Sequence, residues 1–62
     1  MNKLTFFLTL AQQGLKTAAN FLHLKAKKDA ATDPEGAKKT EALADILDAA
    51  DAGIQNYLEN SD

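Results

Sequence analysis

The sequence predicts an all-α fold, an antiparallel two-helix hairpin that goes on to assemble into a four-helix bundle or a larger helical assembly. Three observations carry this. Apolar residues recur at alternating spacings of four and three on both sides of a single central proline. The stretch around that proline, DAATDPEGAKK, holds residues that stop one helix and start another. The chain is also short, 62 residues without a cysteine. A domain of that size buries only about 60% of the surface its unfolded chain exposes. Neither disulfides nor thiolate metal sites supplement its core, which leaves oligomerisation as the expected source of stability.

In the first helix, expected over about residues 3–30, the apolar count runs Leu4, Leu8, Ala11, Leu15, Ala18, Leu22. The run from Leu4 to Ala11 follows Lys3 and so has the outline of a secretory leader. Thr5 and Thr9 interrupt it, it is short, and no small-x-small cleavage site follows, so the expectation is a cytoplasmic chain, or one within a particle assembled there. The absence of cysteine fits a reducing compartment, and no run nears the roughly 18 apolar residues a membrane span requires.

The elbow is expected at about residues 31–36. Asp33 serves as an N-cap with Pro34 in the first helical position, where its missing N–H costs nothing. Proline also disfavours helical geometry at Asp33 and so ends the first helix. Thr32 and Glu35 have capping-box spacing, and Asp33 to Gly36 also reads as a type I turn. The second helix, over about 37–59, repeats the seam with Leu43, Leu47, Ala50, Ile54 and Tyr57, and a short acidic tail follows. Antiparallel folding pairs residues whose numbers sum to about 65. Ala11 then faces Ile54, Leu15 faces Ala50 and Ala18 faces Leu47, large against small in each layer.

This seam leaves apolar residues over. Phe6, Phe7, Leu10, Gly14, Phe21 and Leu24 on the first helix, with Ile46 and Gly53 on the second, widen the apolar arc beyond one partner's contact and form the candidate protein interface. Each interior glycine costs roughly 1 kcal/mol of helix propensity, which close approach of another helix offsets.

Charge is unevenly distributed. Residues 1–28 carry five lysines and no acid, and residues 29–62 carry nine acids and two lysines, giving +5 and −7 and the overall −2. Lys25, Lys27, Lys28, Lys38 and Lys39 gather around the elbow as candidate polyanion contacts, although lysines at a helix C-terminus also answer its macrodipole. No catalytic, cofactor or metal site is expected. His23, the only histidine, falls on a polar stripe with Thr5, Thr9, Gln12, Lys16 and Lys27, where it reads as a solvated residue without a catalytic partner. Asp45, Asp48 and Asp51 fan across about 120° of a helix and do not converge on one cation.

The hairpin, its length and its Ala/Leu layering resemble the Rop family of plasmid copy-number regulators, small antiparallel four-helix dimers that bind paired RNA hairpins. The likeness covers most of the chain as architecture. It implies a nucleic-acid-binding regulator using the basic first helix, with Lys3 and Lys25 at the family's basic positions; where that family has a mid-helix aromatic residue, this chain has Gly14. The leading expectation is a non-enzymatic assembly or adaptor protein that self-associates, or docks on a larger complex such as a viral or other multi-subunit particle, through its Phe/Leu-rich face.

Overall fold

The computed structural model describes residues 2–60; the expected acidic tail falls mainly on residues 61 and 62, outside them. Two helices, α1 (Lys3–Asp29) and α2 (Pro34–Asn60), pack against each other as an antiparallel hairpin. They form a slab whose Cα extents are 46 × 15 × 10 Å.

Each end of the hairpin has a local cause. Asn2, in extended geometry, accepts the Thr5 N–H on its side-chain oxygen at 2.7 Å, satisfying one of the donors that open α1. The helix then runs unbroken through Leu4–Ala11. At the other end Lys27 and Lys28 occupy the last turn, where the helix dipole favours cations. No residue with positive φ terminates α1. The chain instead closes through Thr32 and Asp33 N–H donors to the Asp29 carbonyl, at 3.1 and 2.7 Å, and Pro34 forbids continuation.

The capping role assigned to Asp33 holds: its side chain accepts the Gly36 N–H at 3.0 Å and its carbonyl accepts the Ala37 N–H at 2.9 Å. A Cβ on Gly36 would collide with the Asp33 carboxylate, so this glycine admits the cap. The helix accordingly begins at Pro34 and not at 37, and the connection between helices is four residues, 30–33.

The contact line is rotated from the one expected. Ala19, Ala26, Ala37 and Ala44 are the buried apolar residues, with Gln12 the buried polar one, among the described residues. Leu8, Leu15, Leu22, Leu47, Ile54 and Leu58 are half-buried alongside them. Ala11, Ala18 and Ala50, placed in the seam by the sequence count, are exposed, as are Leu4, Leu43 and Tyr57. The axial register is close to expectation, since Gln12 meets Gln55 and His23 meets Glu41. Only the rotation differs, by roughly 50° on α1 and roughly 110° on α2 at 100° per residue. The physical reason is size: alanine on both helices lets the axes approach at the short end of the 8–10 Å packing range, and larger side chains are displaced to the flank.

Candidate interaction face

Displacement of the large side chains is in the same direction on both helices. In an antiparallel pair of right-handed helices, residues rotated in the same sense from the seam emerge on the same side of the pair. Leu4 and Leu8 of α1 and Ala50, Gly53, Ile54 and Tyr57 of α2 therefore line one shallow groove. Phe7, Phe21 and Ile46 are 65%, 64% and 63% exposed, and none of the large apolar side chains among the described residues is fully buried. The small residues are inside and the large ones are outside.

The expected interface residues are all exposed, Ile46 by itself on α2 and the other seven in three groups. Gly53 lies in the two-helix groove. Leu10, Gly14 and Phe21 share a depression on the outer side of α1 with Thr17 and Ala18, and Leu24 adjoins Phe21 near Lys25, Lys28 and Asp29. Phe6 and Phe7 meet edge to face at the open end, with ring centroids 6.3 Å apart. Phe6 and Leu24 point away from the two-helix groove and belong to the back of α1. Gly14 and Gly53 have open space where a Cβ would sit, so nothing within this chain requires glycine at either position.

The elbow lysines are exposed and do not form a continuous basic surface. Lys25 pairs with Asp29 at 3.3 Å. Lys27 and Lys38 border a depression that also contains Glu41. Lys28 lies beside Leu24, and Lys39 is exposed on α2.

The opposite side of the pair is polar, and here His23 departs from expectation. It is half-buried at the edge of the seam, its Nδ1 2.5 Å from Glu41 Oε1 and its Nε2 2.8 Å from Asp48 Oδ2, so it ties α1 to α2. The bond to Asp48 first, opposed by desolvation and then supported by the bond to Glu41, favours the imidazolium and raises the His23 pKa above its ordinary 6.5. Counting the seam on Leu15, Ala19, Leu22 and Ala26 would have placed His23 at its margin, within reach of a second helix. Towards the open end Gln12 donates through Nε2 to Gln55 Oε1 at 2.8 Å, and Gln55 in turn donates to Glu59. Asp51, one of the three acids that fan across α2, is half-buried, with one carboxylate oxygen lacking a hydrogen-bond partner.

Among the described residues no helix is long and apolar enough to cross a membrane. Comparison with protein-family models, with curated proteins and with solved structures finds no match to this chain.

Proposed function

We propose that this protein is a non-enzymatic assembly module whose hairpin pairs with a second copy, apolar face to apolar face, as a four-helix bundle. The carrying observation is the inversion of size: alanines fill the seam while Leu4, Phe7, Phe21, Leu43, Ile46 and Tyr57 stay open to solvent. The rotation of the seam gives that observation a geometry. In a four-helix bundle each helix contacts two neighbours, and its most apolar line points between them, at about 45° from either. The line Leu4–Leu8–Ala11–Leu15–Ala18–Leu22 stands at about that angle from the alanine seam, whereas the line Leu43–Leu47–Ala50–Ile54–Tyr57 lies about twice as far round α2.

Twofold pairing suits such a face, because one patch then serves both copies. Half a dozen large side chains contribute on the order of 100 Å² each when covered, so two copies remove area comparable to a stable interface of about 1,200–2,000 Å². Phe6 and Leu24, on the back of α1, remain outside this contact, which takes in Leu10 beside Phe21, and provide the surface through which the bundle joins a larger complex. A cytoplasmic setting, or a particle assembled there, is part of the same proposal.

Sedimentation of the wild type and of the double variant Phe7→Glu, Phe21→Glu tests the reading. The wild type should sediment as a dimer or larger and the variant as a monomer, since each change replaces buried apolar area with a charge. A monomeric wild type removes the proposal. The Rop-like alternative, a nucleic-acid-binding regulator, draws support from Lys27, Lys28, Lys38 and Lys39, which are exposed and have no ion-pair partner among the described residues. RNA binding that weakens steeply between 50 and 200 mM salt would favour it.

A further inference from the structure

The polar side of the hairpin carries a feature that self-association does not use. His23 from α1 and Glu41 and Asp45 from α2 bring one potential ligand atom each to within 4.8 Å of one another. The geometry points to a site for a divalent first-row transition metal of the zinc type, held by His23, Glu41 and Asp45 of one chain and bridging α1 to α2.

The donor set fits that chemistry. Imidazole with two carboxylates suits zinc and its neighbours, whereas magnesium and calcium take oxygen ligands alone. Ligands on a tetrahedral ion at about 2.0–2.2 Å stand roughly 3.4 Å apart; Asp45 is exposed, so rotation of its side chain can close the set. The open side leaves a fourth position for water.

Spacing supplies the framework. Glu41 and Asp45 are four residues apart and face the same way from α2, while His23 reaches them across the seam. Asp48, one turn further, does not complete the triad but is bonded to Nε2 of the imidazole at 2.8 Å, whereas Glu41 is on the Nδ1 side. An ion shared with Glu41 and Asp45 therefore takes Nδ1, and Nε2–H donates to Asp48. This is the carboxylate–histidine–metal arrangement in which an outer carboxylate fixes the ring and its tautomer.

An imidazolium clasped by Glu41 and Asp48 accounts for those two acids without a metal. It leaves Asp45 with no role: among the described residues Asp45 makes neither an ion pair nor a side-chain hydrogen bond. Asp45→Asn therefore separates the two accounts, because it removes a metal ligand and leaves both His23 contacts in place.

The experiment is titration of the full chain with zinc chloride at about pH 7.5, binding being accompanied by release of any proton held at the ligand nitrogen. It is read by calorimetry and by the thermal midpoint, with magnesium as the control ion. Wild type should bind one zinc per chain, and its midpoint should rise with zinc and not with magnesium. Asp45→Asn should keep the metal-free midpoint and bind zinc at least tenfold more weakly, and Asp48→Asn should weaken binding about tenfold through the ring's orientation. Cobalt(II) in place of zinc should give visible absorption that His23→Gln abolishes. A wild-type midpoint unmoved by zinc, or an Asp45→Asn variant that responds as the wild type does, overturns the site. The three ligands belong to one chain, so either result leaves the self-association reading to its own sedimentation test.

Discussion

The seam between the helices and the face beside it are built from opposite materials. In the seam, Ala19 and Ala44 are 1% and 0% exposed and contribute one methyl group apiece. On the face, Phe7, Phe21 and Ile46 carry far more apolar surface and leave most of it in water. Burial stabilises by about 0.8 kcal/mol per methylene, so a large reserve of apolar surface is left exposed by a single hairpin. On the proposed reading alanine sets how closely the helices approach and the large residues supply stability on meeting a second surface.

The largest effect should come from the face. Beyond dissociating the assembly, Phe7→Glu with Phe21→Glu should cause a major loss of helix content at micromolar concentration, measured by far-ultraviolet circular dichroism. A hairpin of this size has little stability without a partner. Retention of full helicity in a monomeric variant would put the stability back in the seam and reverse the comparison.

Overpacking the seam comes next. Ala44→Leu should cost roughly 1–3 kcal/mol, because a fully buried alanine between close helices has no room for three more carbons. Ala18→Leu, exposed in the hairpin, should instead alter how the midpoint depends on protein concentration. A concentration-independent loss equal to that of Ala44→Leu would mean that the contact line runs through Ala18 after all. Melts of the two substitutions side by side decide this.

Gly53→Ala should act in opposite directions in the two regions. Its Cβ would meet nothing in the hairpin, so helix propensity alone favours the change by about 1 kcal/mol. In the covered groove the added methyl should hinder the second copy. Sedimentation should therefore show weaker association even as the intrinsic helicity of a peptide spanning α2 rises.

Two smaller effects belong to the polar side. Asp51→Ala should stabilise the fold by about 1 kcal/mol, since it removes a partly buried carboxylate oxygen with no partner. In buffer containing a chelator, stability should also fall as the solution becomes more alkaline. The folded His23 pKa lies above its unfolded value, so its contribution is fully present below about pH 6.5 and is lost as pH rises through the raised folded value. Melts from pH 5.5 to 9 check the direction, and His23→Gln should flatten the curve.

Much of the fold was legible in the sequence because its signals were local. Pro34 and Asp33 marked the elbow through rules that involve only neighbouring residues, and the fours and threes on either side required helices. The rotation of the pair was not legible from the same count. Leu4, Ala11 and Ala18 form the most apolar line on α1, and a search for that line finds the direction of greatest hydrophobicity. That direction points between two neighbours whenever more than one partner is implied. Ala19 and Ala26, less conspicuous, mark where the first partner sits. His23 was misplaced for the same reason: measured from the wrong line it seemed remote from α2, and its carboxylate partners lie on a helix that begins eleven residues later. The Phe and Leu residues in excess of one seam's needs are exposed, and Gly53 lies within the two-helix groove.

The central claim is that the exposed face holds most of the stability, and the thermal midpoint as a function of protein concentration tests it most directly. Circular dichroism melts of the wild-type chain over a hundredfold range, from a few micromolar to several hundred, should show the midpoint climbing steadily with concentration, because association stabilises by mass action. A cooperative melt whose midpoint stays the same across that range would mean that the alanine seam holds the hairpin together unaided, and would contradict the account.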